Sequence, residues 1–536
     1  MDFDALYYPY PSRRSVVYAR NGMVATSQPL AAAAGLAVLR RGGNAIDAAV
    51  AAAACLTVVE PTSNGIGGDA FALVWSQGRL YGLNASGPAP AALTIDAVTK
   101  RGCREIPPDG WLGVTVPGAP AAWAALAERF GSLTLSEALQ PAVEYAEAGY
   151  PVSPVCSRLW EQGRRRFAAA GGEEFRPWFD TFAPGGRAPR AGEVWRSPDH
   201  GRTLRRIAES GAKDFYRGEL AERTVAFAKS SGGYLGADDL AGYSPEWVEP
   251  IGVNYRGYGV WEIPPNGHGL VTLLALNILK GFDFDPGAKD AVETYHKQFE
   301  AVKLAFADGL AFIADPRKMR VTVAELLSDA YADERRRLIG REALAAAPGS
   351  PPRGGTVYLA TADAAGNMVS YIQSNYMGFG SGLVVPGTGI ALHNRGCNFS
   401  LDPDHANCLE PGKKPYHTII PGFLTKDGRA VGPFGVMGAF VQPQGHLQMV
   451  MNTVDFGLNP QAALDAPRWQ WTRGKTFEVE HQFPEAVAEA LARRGHDIRR
   501  SVGNLAMGRG QIIWRDAAGV LAGGSEPRTD GTVAAW

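Results

Sequence analysis

Apolar positions follow a mainly helical spacing over the first two-thirds of this chain and gather into strand-like runs beyond it. Residues 29–41 read PLAAAAGLAVLRR, which predicts a helix stopped by Gly42-Gly43. Asn44 is placed to cap a second helix over residues 45–58, and the small alanines of both would let them pack closely. From Glu60 to Asp69 the chain reads EPTSNGIGGD, a loop with neither period. Residues 70–75 and 80–83 predict a hairpin around Ser76-Gln77-Gly78-Arg79. Between about 120 and 345 helices dominate: 121–130, 136–148, 204–210, 270–279, and 288–313, the last ending at Asp315-Pro316. Residues 261–263 predict a strand that leads into Pro264-Pro265-Asn266-Gly267.

The pattern then changes. Residues 347–355 read APGSPPRGG, and that density of proline and glycine excludes regular structure. Beyond it, residues 356–362 and 368–374 predict a hairpin with its turn at 363–367, and 389–392, 418–423, 511–514 and 520–522 predict further strands. The layout is helix-rich, loop, strand-rich. It implies an α/β (α+β) fold in which helix layers cover sheets. There is no internal repeat and no low-complexity tract.

Composition narrows the function. The 536 residues carry 53 basic and 54 acidic side chains, a net charge of −1, which offers nothing to nucleic acid or an anionic membrane. The run Arg164-Arg165-Arg166 reads as a solvated helix face. Five cysteines without a CxxC fit neither a disulfide framework nor a zinc knuckle, and suit a reducing compartment. The first residues hold Asp2, Asp4, Pro9 and Pro11, unlike a secretory signal, and the alanine-rich stretch 45–59 is too short to span a bilayer. The expectation is a soluble, cytoplasmic protein. GxSxG, Walker, GxGxxG and HExxH motifs are missing, and the nine histidines lack metal-ligand spacing, so His268 and His296 read as structural and no metal or cofactor is expected.

The candidate chemistry sits at Gly354-Gly355-Thr356, at the mouth of a predicted strand. A threonine hydroxyl is a weak nucleophile unless a base adjoins it. A free α-amine on the same residue would be that base, with a reference pKa of about 7.7–8.0, but it requires a cut before Thr356. Glycines ahead of the threonine permit the backbone distortion such a cut needs.

Several segments now become informative together. The run GMVATSQPLAAAAGLAVLRRGGNAIDAAVAAAACLTVVEPTSNGIGGDAFAL, then VTVPGAPAAW, YRGYGVWEIPP, EAVKLAFAD and GLNPQAALDAPRW, resemble the γ-glutamyltranspeptidase family in order and across nearly the whole chain. Thr356, followed by Asp363, Gly366-Asn367 and Gly378-Phe379-Gly380-Ser381-Gly382, stands where that family has its nucleophile segment. The resemblance implies an αββα sandwich of the N-terminal-nucleophile hydrolase type. It also implies a precursor cut between Gly355 and Thr356 into a large subunit (1–355) and a small subunit (356–536) folded as one unit, a zymogen by autocatalytic cleavage. Thr356 would form an acyl-enzyme with a small-molecule amide, released by water or, in a transferase, by an amine. Ser374 falls where the family has a threonine bonded to the nucleophile. Backbone N–H groups of Gly438 and Ala439, in the turn 435–439, would hold the oxyanion; the family has a second glycine where Ala439 stands.

The acyl pocket departs from the family. Ser86 replaces the arginine that holds a γ-glutamyl carboxylate. Arg395 and Asn398 replace groups that hold the ammonium, Tyr376 replaces an asparagine, and His417-Thr418 stand for a serine pair. An ammonium beside Arg395 meets a like charge, whereas Arg binds carboxylates bidentately. The leading reading is therefore a glutathione hydrolase-like amidohydrolase with altered acyl specificity. A second is an acylase for carboxylate-bearing amides without an amino group, similar to oxamate amidohydrolases and cephalosporin or glutaryl acylases. A third is a non-catalytic binding protein on the same fold. The expected partners are the amide and the two subunits, with a homodimer left open and no nucleic acid or membrane.

Overall fold

The computed structural model describes residue 10 and residues 14–345, 355–501 and 503–536. Helix Pro29–Arg40 begins where Gln28 accepts the N–H groups of Leu30 and Ala31. Helix Ala45–Val59 begins with a capping box, in which Asn44 accepts from Ile46 and Asp47 while Asp47 returns a bond to Asn44. Every residue of this second helix is buried. Its alanines allow that, and so does Gly35, where a Cβ would stand 3.1 Å from the carbonyl oxygen of Ala48.

Two seven-stranded sheets face each other. The first runs in the order Val17–Ala19, Leu521–Ser525, Arg509–Arg515, Arg429–Met437, Gly422–Lys426, Tyr258–Glu262 and Ile251–Tyr255. The second runs Thr532–Ala535, Gly22–Thr26, Gly355–Asp363, Met368–Tyr376, Asp69–Ser76, Arg79–Ala85 and Glu246–Val248. Between them Met23, Phe71, Leu73, Tyr358, Ala360, Ile372, Phe423, Met437 and Ile513 form one dry layer. The alanine-rich helices cover the outer face of the second sheet against Val357, Leu359 and Tyr371. Helices Gly269–Leu279, Val292–Phe312 and Gln442–Val454 cover the first against Leu424, Phe434 and Ile512. The architecture is the expected αββα sandwich. Among the described residues no helix is long and apolar enough to cross a membrane.

The helix-rich and strand-rich halves are not spatial halves. Residues before Thr356 supply three strands of the first sheet and four of the second, including the immediate neighbour of the Gly355–Asp363 strand. Residues 389–392 form only isolated bridges, Val384 with Ala391 and Gly67 with Leu392, and the strand expected at 418–423 runs from Gly422 to Lys426. The loop at 347–355 lies outside the described residues up to 354, and Gly355 already opens a strand. Of the three arginines read as solvated, Arg164 and Arg165 pair with Glu161 at the surface. Arg166 turns inward to Asp109 and donates to the carbonyl of Gly378 at 3.2 Å, so that part of the expectation is corrected.

Candidate active site

Side chains alternate across a strand. Tyr358, Ala360 and Ala362, then Met368 and Ile372, then Phe71 and Leu73 all face the layer between the sheets. Thr356, Ser374 and Asp69 continue these three rows at one end of the sheet, and all are buried. Ser374 stands directly opposite Asp69 in the ladder. Its Oγ lies 3.0 Å from Thr356 Oγ1 and accepts the N–H of Tyr376 at 2.7 Å. Tyr376, paired with Gly355, holds φ at +73°.

From the facing sheet, strand Arg429–Met437 packs its Gly435 onto Tyr358, where a Cβ would fall 2.4 Å from the ring. Its last residue, Met437, enters the same inter-sheet layer. The chain then turns through Gly438 (φ +140°) and Ala439 (φ +54°) into helix Gln442–Val454. The turn thus leads into a helix N-terminus, whose partial positive charge favours an anion. Ala439 adopts a left-handed conformation that costs an L-residue about 1–2 kcal/mol.

One wall is a charge network around Asp69. Arg395 donates through Nε to Asp69 Oδ2 at 2.9 Å and through Nη2 to Oδ1 at 3.3 Å, and its Nη1 donates to Thr418 Oγ1 at 2.6 Å. His393 Nδ1 and His417 Nε2 reach the same carboxylate at 3.0 and 2.8 Å. Burial alone would raise the Asp69 pKa. Arg395, His417 and His393 outweigh it and hold the carboxyl well below the usual range. Burial, with Arg395 adding to it, pushes the His417 pKa down to about 4, so this ring is neutral. It accepts the N–H of Ile419 on Nδ1 and therefore carries its proton on Nε2, toward Asp69.

The guanidinium of Arg395 also lies 4.4 Å over the ring of Tyr376, whose hydroxyl donates to Asn398 Oδ1 at 2.6 Å. Asn398 passes the chain of bonds to the carbonyl of Tyr416. Six of the expected residues, Thr356, Ser374, Tyr376, Arg395, Asn398 and Thr418, are thus linked by direct contacts, and His417 joins through Asp69. Ser86 sits in a neighbouring network. Its hydroxyl donates to Asn84 Oδ1 at 2.7 Å and accepts from Asn266 Nδ2, which also bonds the carbonyl of Pro415.

Residues 31–536 match the gamma-glutamyltranspeptidase family. The chain belongs to that family. It is 38% identical over 522 residues to the glutathione hydrolase-like YwrD proenzyme of Bacillus subtilis, covering 95% of this chain and 97% of the relative. It is 35% identical over 535 residues to the oxamate amidohydrolase proenzyme of Klebsiella pneumoniae, covering 96% and 98%. The crystal structure of a cephalosporin acylase from Bacillus halodurans superposes with a TM-score of 0.96 at 64% identity, covering 100% of this chain and 99% of that one. This family member is accordingly an amidohydrolase of the N-terminal-nucleophile type.

Asp69 is the residue that sequence reasoning missed. It closes the GIGGD loop and opens a strand, so it read as a turn residue. The available signal was an acid at the head of an otherwise apolar strand, DAFALVW, which needs a cation once buried. Among the described residues one His/Glu grouping has the closeness of a metal site, His296, Glu300 and His496. Lys303 Nζ stands 2.6 Å from Glu300 Oε1, and His296 bonds His496 through Nδ1 and the carbonyl of Gly340 through Nε2, each at 2.9 Å, while His496 Nδ1 has no hydrogen-bond partner.

Proposed function

We propose that the precursor cuts itself between Gly355 and Thr356 and that Thr356 then hydrolyses a small-molecule amide. In the first step the Thr356 hydroxyl adds to the carbonyl carbon of Gly355 and the peptide nitrogen leaves as an amine. The resulting ester is hydrolysed by water, which frees the Thr356 hydroxyl and the carboxylate of Gly355 and leaves Thr356 with a free α-amine. In turnover that amine takes the hydroxyl proton as Oγ1 attacks the substrate carbonyl. It then gives the proton to the leaving nitrogen, and water releases the acyl group. Backbone N–H groups of Gly438 and Ala439 receive the oxyanion of each tetrahedral intermediate.

The observation that carries this reading is the 3.0 Å contact between Thr356 Oγ1 and Ser374 Oγ at the head of a buried strand. It fixes the hydroxyl in a water-poor site next to a glycine on its amino side. Strand pairing supports subunits 1–355 and 356–536 that remain one body, because Gly355–Asp363 lies between Gly22–Thr26 of the first and Met368–Tyr376 of the second. The pocket wall supports an acyl group without an ammonium: the one acid there, Asp69, is already matched by Arg395. Carboxylate-bearing amides, the class the oxamate amidohydrolase relative is named for, fit this better than γ-glutamyl compounds, and water is the acceptor. We also propose a cytosolic location, which the free cysteines, Cys55 and Cys156 among them, support.

Purified precursor incubated alone should yield two fragments, the smaller beginning Thr-Val-Tyr-Leu. Any other N-terminus removes Thr356 from the nucleophile's place.

A further inference from the structure

A second buried arginine stands at the head of a strand in the first sheet. Arg509 opens strand Arg509–Arg515, pairs with Met437 in the ladder, and follows Gly508, whose Cα lies 3.1 Å from where a Cβ on Gly438 would be. It therefore adjoins the turn proposed to hold the oxyanion. Its side chain is only 6% exposed, yet Nε and Nη1 have no hydrogen-bond partner. Its nearest acid, Glu60, stands 3.6 Å from Nη1, too far for a hydrogen bond, and accepts Ser27 Oγ–H at 2.5 Å on its other oxygen.

The other acids whose charge reaches Arg509 are committed elsewhere. Glu526 is held by Arg468 at 2.7 Å and Arg528 at 2.6 Å, and Asp530 caps helix Pro154–Ala170 by accepting the N–H groups of Val155 and Cys156. Burial raises the Glu60 pKa, and Arg509 and Ser27 only partly offset this, so its negative charge is a weak counterweight.

Arg509 lines a cavity of about 490 Å³ between helix Pro154–Ala170 and the turn at Leu505 and Ala506. Its floor is Thr62 and Ser63 with Met377 and Gly378. Those two residues follow Tyr376, the partner of Gly355, and Ser63 accepts the N–H of Asn375. The cavity thus reaches the chain just beyond the residue that pairs with Gly355, the neighbour of Thr356 on its amino side. Arg166 is also in the lining, but Asp109 holds it.

We propose that Arg509, rather than Arg395, anchors the anionic end of the amide substrate, with a carboxylate entering this cavity. The proposal rests on the amidohydrolase reading above. A carboxylate at Arg395 must compete with Asp69, already bonded there at 2.9 Å. A carboxylate at Arg509 meets two buried N–H-bearing atoms without partners, and such donors are expensive to leave unmade.

The test compares the processed enzyme and its variants on glutaryl anilide, N-pentanoyl-4-aminobenzoate and uncharged pentanoyl anilide. The first two place a carboxylate on the acyl and the amine half respectively. Arg509→Gln should cut itself normally and lose at least about tenfold in kcat/KM on one charged amide, the worth of one charge-assisted hydrogen bond, while pentanoyl anilide changes less than about twofold. Gln162→Glu, an exposed change in the cavity lining, should raise KM for the same charged amide without changing kcat. It decides the matter if Arg509→Gln fails to fold. Equal losses on charged and uncharged amides, or normal KM values in Gln162→Glu with Arg509→Gln unfolded or unchanged, overturn the anchor. Hydrolysis surviving in Thr356→Ala would instead overturn the underlying reading.

Discussion

Ser374 Oγ stands 3.0 Å from Thr356 Oγ1 while accepting the backbone N–H of Tyr376 at 2.7 Å. The second bond fixes where the first one points, because the hydroxyl cannot rotate away without losing the amide. Ser374→Ala should therefore still process itself and turn over, each about tenfold more slowly, since one neutral hydrogen bond is worth about 1 kcal/mol and its loss also loosens χ1 of Thr356. Thr356→Ala should remain one uncut chain with no hydrolysis. Gel time courses and single-turnover rates read both; a Ser374→Ala enzyme indistinguishable from wild type would make the contact incidental.

The left-handed Ala439 makes a second prediction. Its φ of +54° is one that glycine adopts without penalty. Ala439→Gly should leave activity within about twofold and stability within about 1 kcal/mol, because relief of about 1–2 kcal/mol of strain offsets about 0.8 kcal/mol of methyl burial. Ala439→Val puts a β-branched residue where φ is positive and should abolish turnover by displacing the turn. Thermal melts and kcat on one amide check the pair. Strong loss in the glycine variant would mean that the methyl, not the backbone, is what the site uses.

These two positions also mark how far the sequence was legible. The hairpin that carries Thr356 and Ser374 is two short runs of apolar, aromatic and hydroxyl side chains joined by Asp-Ala-Ala-Gly-Asn, so its strands and turn could be read locally. The two alanine helices announced themselves through Asn44 and Gly42-Gly43. Strand Gly422–Lys426 was misplaced because the preceding Thr418-Ile419-Ile420 is just as apolar. Its side chains are buried in a loop whose position depends on His417 and Gln442, contacts distant in sequence. Helix Pro154–Ala170 is legible only as a helix face at Arg164-Arg165-Arg166, without bounds, because charged residues fill its outer face and leave only Cys156, Trp160, Gly163 and Phe167 to carry the period. The partners of Arg395 and Arg509 are hardest of all, since Asp69 and Glu60 lie more than 300 residues away along the chain. A family pattern can point to one end of such a pair; nothing local points to the other.

The His296, Glu300 and His496 grouping gives a third prediction. A divalent ion there would have to displace the Lys303 ammonium, 2.6 Å from Glu300 Oε1. Burial, followed by Lys303 and His296, also pushes the His496 pKa down to about 3. Self-cleavage and hydrolysis should therefore be unaffected by EDTA, and elemental analysis of active protein should find no stoichiometric metal. Loss of activity in EDTA that zinc restores would contradict this.

The last prediction concerns the Asp69 network and works through pH. Arg395→Ala leaves the Asp69 carboxylate buried without its cation, and removing one partner of a buried pair costs about 3–5 kcal/mol. His417 makes that cost depend on pH. In the wild-type protein its pKa is depressed to about 4 by burial and by Arg395. A depressed group contributes stability that is present above the unfolded value of about 6.5 and is lost as pH falls toward the folded one. Between pH 8 and pH 5 the wild type therefore loses about 2 kcal/mol through this one ring. In Arg395→Ala the repelling guanidinium is gone and Asp69 still faces Nε2 at 2.8 Å, so His417 takes a proton readily and becomes the missing cation. Its pKa should then rise toward the unfolded value, although burial still opposes the charge, and less of its contribution should be lost on acidification. The stability gap between the two proteins, measured by urea denaturation, should accordingly narrow from pH 8 to pH 5, by at most about 2 kcal/mol. The double variant Arg395→Ala/His417→Phe has no such proton to take up, and its deficit relative to His417→Phe should stay constant over the same range. A constant gap between wild type and Arg395→Ala would show that His417 does not share the Asp69 charge.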